Sequence, residues 1–288
     1  MSIFKAIVKG MGTTFHKPRL LVILYAFNLV SAAAAAVPFL LIVQGELGHS
    51  YLGSNVRPLD VMWLGEAVLK YESALPTLLG GLVAAAALYF ALQVFLNGGL
   101  VGRLLDREGR ATLEPFFADC GRYFGRFVRL FLVSLVFLFL SFGIVLRLVS
   151  ALLEPAREGA STEWLPVLLS NFHLLLSLLL LSVVRMVMDY ARIAVVADGE
   201  RKVLRALRHA LKFLGKRFFR AWGIYLAVAL LSLAGTVLFH IVFARLGAPG
   251  VTWVVAGLVW MQALVLFRVW IRTLFFASQA EFYRAHPY

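Results

Sequence analysis

The chain has 288 residues, of which 61% are hydrophobic and 15% charged, and its mean hydropathy is +0.86. This balance lies outside the range of soluble globular domains and indicates an integral membrane protein. The 28 Lys and Arg residues exceed the 15 Asp and Glu residues and give a net charge of +13. The single cysteine, Cys120, excludes an internal disulfide and a CxxC metal or redox site.

Six apolar stretches are long enough, or nearly so, to cross a hydrocarbon core about 30 Å thick as helices. The first ends in SAAAAAVPF, like a signal peptide, but its roughly 25 apolar residues are too many for a signal sequence, so we interpret it as a retained span. The sequence therefore predicts one all-α domain over residues 1–288 with six transmembrane helices. The predicted spans are 19–43, 75–97, 126–149, 165–188, 218–244 and 251–276.

The distribution of Lys and Arg predicts the orientation, because basic residues near span ends resist translocation. Twenty-three of them lie on the side of the two termini and five on the other side, so we expect both termini in the cytoplasm. Such a basic face attracts anionic phospholipids, at about 1 kcal/mol per basic residue near the surface. It would also attract nucleic acid. The chain has no aromatic and basic recognition pattern and no separate soluble domain, so no nucleic-acid partner is expected.

The outer connection between the first two spans is the only long external segment. Its sequence predicts a helix on the membrane surface, with Asp60 as the cap and Trp63 at the interface.

An amphipathic helix is predicted just before the fifth span. Asp198 is its candidate N-cap, and Glu200 adds favourable negative charge to its first turn. The pattern is typical of a helix in the membrane interface, although a helix packed on the end of the bundle with a solvated basic face also fits. The apolar stripe, at a period of 3.6, comprises Val203, Leu204, Leu207, Ala210, Leu211, Leu214 and Phe218. The basic face comprises Arg201, Lys202, Arg205, Arg208, His209, Lys212 and Lys216.

The motif [KR]-x-x-G ends an amphipathic segment before spans 1, 3 and 5, with its glycine at Gly12, Gly125 and Gly215. Since the chain must turn there from the membrane plane towards the membrane normal, we expect these glycines in the left-handed conformation of a helix C-cap. The pattern predicts a three-fold repeat of an amphipathic helix plus a helical hairpin. Convergent composition would produce a similar pattern.

Three stretches carry a resemblance to a known group: FLNGGLVGRLLDREGR after span 2, CGRYFGRFVRLFLVSL into span 3, and DYARIAVVADGERKVLRALRHALKFL after span 4. The chain resembles uncharacterised bacterial six-helix membrane proteins, which are similar to the membrane domain attached to some glycerophosphodiester phosphodiesterases. The resemblance covers most of the chain and implies this fold in the bacterial inner membrane. It implies no hydrolase activity, because that family's activity belongs to a soluble barrel that these residues do not encode.

Charged side chains inside spans are costly and are candidates for function. Arg185 and Asp189 on span 4, and Arg268 and Arg272 on span 6, are each four residues apart and share a face near the cytoplasmic end. If the two spans are neighbours, Asp189 could pair with one of the span 6 arginines and leave a basic cluster for a lipid phosphate or another anionic headgroup. Alternatively, the arginines extend to the interface and Asp189 neutralises one of them.

Four uncharged polar side chains also lie within the spans: Asn28, Gln93, Asn97 and Gln262. Hydrogen bonding between helices is the common role of such groups. A transport path is the alternative, but the sequence lacks the paired, glycine-interrupted half-helices that bind ions in many transporters.

The sequence offers little catalytic chemistry. None of the six histidines has HExxH or i,i+4 spacing, and GxSxG and P-loop motifs are absent, so no enzyme activity, metal or cofactor is expected. The sequence favours a scaffold or accessory subunit of a membrane complex, with anionic phospholipids and a membrane-protein partner or a second copy as its partners. The alternative is a transporter or permease subunit for a lipid or amphiphile.

Overall fold

The computed structural model describes residues 1–47, 75–106, 112–159, 162, 164–245 and 251–286, and all regular secondary structure in these residues is helical. A π-helical segment, Phe139–Val145, joins α4 to α5. The helices are α1 (Ile3–His16), α2 (Pro18–Leu47), α3 (Leu75–Leu105), α4 (Leu113–Leu138), α5 (Leu146–Glu158), α6 (Trp164–Ala197), α7 (Val203–Arg245) and α8 (Val251–Arg284).

Within the described part of the chain, six helical segments are long and apolar enough to cross a membrane, which confirms the prediction of a multi-pass all-α membrane protein. The predicted surface helix with Asp60 and Trp63 lies outside the described residues. The six segments are Pro18–Ala36, Leu79–Leu105, Leu113–Ala156, Trp164–Ala197, Val203–Arg245 and Val255–Arg284.

The helices form two compact units. Unit 1 comprises Met1–Leu21 and Val94–Tyr288, and unit 2 comprises Val22–Gln93. In unit 1, the buried side chains are concentrated where a charged stretch of the sequence adjoins an apolar span. There α4 buries Phe116, Tyr123 and Phe127 on one stripe. Large apolar side chains further along the spans are exposed, as expected of surfaces that face lipid tails. They include Leu132, Leu152, Leu175, Leu230 and Val259.

Helix α1 lies antiparallel along the last turns of α8. The Met1 amino group hydrogen-bonds to Nε2 of His286 at 3.1 Å, and the Phe15 ring lies 6.0 Å from the Trp270 ring between centroids. Between these ends, Gly10 is buried so closely against Ser278 that a β-carbon would overlap its backbone nitrogen at 2.8 Å. One face of the predicted interfacial helix therefore packs on protein, whereas its position in the membrane plane stays a prediction.

The prediction of left-handed glycines before spans 1, 3 and 5 is wrong. Gly12, Gly125 and Gly215 lie inside continuous helix, and among the described glycines the positive φ belongs to Gly199. The breaks occur later, at Lys17 (φ −123°, ψ 53°) and at Arg217 (φ −140°, ψ 26°). Lys17 leaves the helical conformation because Pro18 follows it. No break occurs near Gly125, where α4 continues directly into the span.

The end of α3 and the beginning of α4 pack with almost no space between them. A β-carbon at Gly99 would lie 2.6 Å from Sγ of Cys120 and 2.7 Å from the carbonyl oxygen of Phe116, and one at Gly102 would overlap the Asp119 carboxylate. Small residues at such spacing allow two membrane helices to approach closely. This contact holds the beginning of α4 in position.

Candidate anion-binding site

The first segment of α7, residues 203–216, carries an exposed row of cations. The opposite face is buried, but its composition differs from the predicted stripe: Ala206 and Phe213 are buried, whereas Leu204 is 71% and Leu211 is 45% exposed. The buried stripe is therefore rotated about the helix axis relative to the predicted stripe, because neighbouring helices rather than a flat interface determine which face is buried. His209 is half-buried, and the other six predicted basic residues are exposed: Arg201, Lys202, Arg205, Arg208, Lys212 and Lys216.

Aromatic contacts anchor the buried face of this segment. The Phe213 ring centroid lies 4.9 Å from that of Tyr283, 5.3 Å from that of Tyr190 and 5.7 Å from that of Phe282. The segment therefore packs on the ends of α6 and α8. This geometry matches the alternative of a helix packed on the end of the bundle with a solvated basic face. A further contact between this face and a membrane interface stays a prediction.

The turn between α6 and α7 orients the segment. Gly199 adopts φ 64°, the left-handed conformation in which glycine commonly follows a helix end. Asp198 is not the N-cap of α7: it accepts a hydrogen bond from the Tyr283 hydroxyl at 2.7 Å and lies 3.7 Å from Nδ1 of His209. The first backbone acceptor of α7 is instead the Lys202 carbonyl, which receives the amides of Arg205 and Ala206.

A cleft of about 680 Å³ lies between α4 and the beginning of α7. Arg129 and Val133, one helical turn apart, form the α4 side. The α7 side consists of Lys202, Val203, Leu204, Arg205 and Arg208. Four exposed cations thus converge with three apolar side chains, and no carboxylate is among the described residues that line the cleft. Glu200, outside the lining, lies 3.8 Å from Arg205 and offsets part of the charge.

The position of the cleft along α4 suits a lipid headgroup. Arg129 is the last charged residue before an apolar run, residues 130–146, that contains no Asp, Glu, Lys or Arg. A span with this sequence places its basic end at the level of the phosphates and its apolar run among the lipid tails. The cleft can therefore hold an anionic headgroup on its cations while the adjoining hydrocarbon contacts Val133 and Leu204. The sequence patterns do not associate Arg129 with α7, because the two are distant in the chain.

The residues around Asp189 form a second polar cluster, with partners that differ from those predicted. Nη1 of Arg192 donates to Oδ1 of Asp189 at 2.6 Å, and the two side chains are 18% and 15% exposed. Arg185 and Gln279 also face Asp189.

The predicted partners of Asp189 on span 6 have other surroundings. Arg272 donates to Oδ1 of Asn97 at 2.6 Å, and Arg268 is exposed. Asp189 therefore pairs with Arg192 and not with Arg268 or Arg272. Arg192 lies one turn away on the same helix and reaches the carboxylate first.

We expect Asp189→Asn to lower the free energy of unfolding by about 1 kcal/mol, because the amide keeps the shape but loses the charge-assisted hydrogen bond to Arg192. Thermal unfolding in detergent and in lipid would measure the change. Asp106→Asn provides the comparison and should change the stability less, because the Asp106 side chain, 3.0 Å from Arg103, is 38% exposed. Unchanged melting of Asp189→Asn in both media would show that the pair is not stabilising.

Three of the predicted uncharged polar side chains link helices in pairs. In unit 2, Oδ1 of Asn28 accepts from the Gln93 amide at 3.0 Å and from the Tyr89 hydroxyl at 3.1 Å. In unit 1, Asn97 connects α3 to Arg272 of α8, and Gln262 is half-buried on α8. These contacts have the form of interhelical hydrogen bonds.

Arg103 organises a polar junction that the sequence patterns did not single out. Its Nε and Nη2 donate to Oδ2 of Asp119 at 2.8 and 2.6 Å, and its Nη1 donates to Oδ2 of Asp106 at 3.0 Å. The available signal was the G-G-x-x-G spacing of residues 98–102 directly before an arginine.

Lys17 closes the same junction at the end of α3. Its Nζ donates to the carbonyl oxygens of Arg103 and Asp106 at the end of α3, a position where backbone carbonyls commonly accept from side chains. Burial lowers the pKa of the Lys17 ammonium, and the nearby Asp106 carboxylate partly opposes this. The junction is therefore a structural tie between the beginning of α2 and the end of α3.

Within the described residues, no group of three or more His, Cys, Asp or Glu side chains is placed to hold a metal ion. A comparison with models of known protein families found no match, and neither the curated proteins nor the solved structures gave one.

Proposed function

We propose that this chain is a non-enzymatic protein of the bacterial inner membrane, a scaffold or accessory subunit of a membrane complex, whose basic end faces the cytoplasm and binds anionic phospholipids. The observation that carries the proposal is the exposed row of cations on residues 203–216, whose opposite face packs on α6 and α8. The bacterial inner-membrane setting is supported by the resemblance to six-helix membrane proteins of bacteria.

The packing of this segment explains why its charge would act on lipids. Tyr190, Phe282 and Tyr283 hold Phe213 in place, so the cations project from a supported helix rather than from a mobile tail. Each basic residue near an anionic surface contributes about 1 kcal/mol. A supported helix loses little conformational entropy when it binds, which leaves more of that contribution available.

A transporter or permease subunit for a lipid or amphiphile is the second candidate. The hydrogen-bonded cluster of Asn28, Tyr89 and Gln93 favours it, since polar groups within spans commonly mark substrate paths. Extraction of the protein together with its surrounding membrane separates the two candidates. An ATPase as a stoichiometric partner would favour the permease subunit, and another membrane protein would favour the scaffold.

Native mass spectrometry of the full chain in detergent, titrated with phosphatidylglycerol or phosphatidylcholine, tests the lipid proposal. We expect phosphatidylglycerol to bind at least tenfold more tightly. The four-fold variant Arg201→Gln, Arg208→Gln, Lys212→Gln, Lys216→Gln should abolish most of that preference, because about 1 kcal/mol is lost per cation. The control is Arg147→Gln with Arg245→Gln, two exposed cations on the predicted outer side. Equal binding of the two lipids to the unaltered protein would refute the proposal.

A further inference from the structure

We infer that the cleft between α4 and the beginning of α7 is a specific site for a lipid whose headgroup carries two phosphates. The inference rests on the proposed function, because it names the class of lipid that the basic end selects. The cleft shares only part of the exposed row of cations, namely Lys202, Arg205 and Arg208, since Arg129 and Val133 of α4 form its other wall.

The charge of the cleft exceeds what a single phosphodiester can balance. Four cations line it, and Glu200 at 3.8 Å from Arg205 offsets one of them in part. A lipid with one phosphodiester brings one negative charge and would leave at least two cations without a counter-charge. A headgroup with two phosphates brings two negative charges and comes closer to neutrality, and charge complementarity of this kind favours one partner over another.

The spacing of the cations also favours two phosphates. Lys202 and Arg208 are six residues apart, which corresponds to about 9 Å along a helix axis at 1.5 Å per residue. One phosphate group is too small to contact both ends of this row, whereas two phosphates joined by a short linker can occupy both. Arg129 approaches from the other wall and can donate two parallel hydrogen bonds to one of them.

The other side chains that line the cleft suit the hydrocarbon part of such a lipid. Val133, Val203 and Leu204 form the apolar surface of the cleft, and Leu204 is 71% exposed. Beyond Val133, the rest of α4 and the π-helical segment that follows it carry no charged residue, up to residue 146. A volume of about 680 Å³ accommodates a headgroup and the first carbons of its chains. A soluble diphosphate would leave this apolar wall without a partner, which is why a lipid is the proposed occupant.

Native mass spectrometry of the full chain in detergent tests the site with diphosphatidylglycerol, phosphatidylglycerol and phosphatidylcholine. We expect one diphosphatidylglycerol to bind at least tenfold more tightly than phosphatidylglycerol. The variant Arg129→Gln with Arg208→Gln should weaken it about 25-fold, since about 1 kcal/mol per cation corresponds to about fivefold. The matched control, Lys5→Gln with Lys9→Gln, removes the same charge from exposed residues of α1, outside both the cleft and residues 201–216, and should change the affinity less than twofold.

A second variant tests the shape of the cleft without altering its charge. Val133→Phe fills the space beside Arg129 and should weaken diphosphatidylglycerol about tenfold while phosphatidylglycerol binding elsewhere on the basic row persists. Added pyrophosphate should not displace the lipid at equal concentration. Displacement would overturn the lipid assignment in favour of a soluble anion.

The remaining outcomes separate the two proposals. If both double variants weaken diphosphatidylglycerol equally, binding follows net charge and the specific site is overturned. If the two anionic lipids bind equally to the unaltered protein, the site is overturned and the proposed function stands. If neither binds better than phosphatidylcholine, both proposals fail.

Discussion

Replacing Arg103 with methionine is expected to lower the free energy of unfolding by roughly 3–5 kcal/mol, the cost of leaving a buried charge without its partner. Two nitrogens of Arg103 bind the Asp119 carboxylate at 2.8 and 2.6 Å, and the two side chains are 13% and 11% exposed. Methionine retains most of the apolar contact but supplies no donor. Titration with SDS in mixed micelles, monitored by tryptophan fluorescence, would measure the change.

Two variants distinguish the ion pair from other effects of the exchange. Arg122→Met removes an exposed arginine of α4, three residues after Asp119, and should stay within about 0.5 kcal/mol of the unaltered protein. Combining Arg103→Met with Asp119→Asn removes both charges and should recover a large part of the loss. A single Arg103→Met variant as stable as the unaltered protein would show that water or another cation replaces the guanidinium.

The exchange Gly99→Ala is expected to lower the free energy of unfolding by roughly 2–3 kcal/mol, because it overfills a closely packed helix contact. The added carbon would lie 2.7 Å from the Phe116 carbonyl oxygen and 2.6 Å from Sγ of Cys120. The carbonyl belongs to the α4 backbone and cannot rotate away, so the two helices must separate. The same SDS titration measures the loss.

Gly125→Ala is the matched control for Gly99→Ala. Gly125 also lies in helical backbone, but apart from its own turn of helix no described heavy atom lies within 4 Å of the position that its β-carbon would occupy. Alanine should therefore stabilise the chain there by up to about 1 kcal/mol, as expected from helix propensity. Equal losses at both positions would contradict close packing at Gly99 and indicate a general effect of the added methyl group.

Residues 203–216 show how much of a helix hydrophobic periodicity can predict. The basic face of residues 203–216 follows from the order of its residues, since exposed cations need no specific partner. The buried face does not, because Phe213 is oriented by Tyr190 and Tyr283, which lie on two other helices. The turn predicted at Gly215 occurs two residues later, at Arg217. A motif indicates that a turn is near, whereas contacts determine the residue at which the helix breaks.

Sequence spacing likewise predicts only part of the charge pairing at the candidate site. Spacing placed Arg185 and Asp189 on one face, but the structure adds Arg192 as the close partner of Asp189 and Asn97 as the partner of Arg272. Arg103 and Asp119 were overlooked because their pairing depends on how closely two helices approach. Two helices approach this closely where glycines of one lie opposite bulky side chains of the other. The sequence of one chain does not indicate which helix surfaces meet.

The sequence by itself determined the class of the protein and its six spans, because the length of an apolar run and the cost of burying charge in lipid are properties of consecutive residues. Only the tertiary structure decided that Arg129 of α4 meets Lys202, Arg205 and Arg208 in one cleft. That convergence depends on the packing of α3 against α4 and of α7 on α6 and α8. These packing contacts join residues far apart in the chain, so no local pattern contains them.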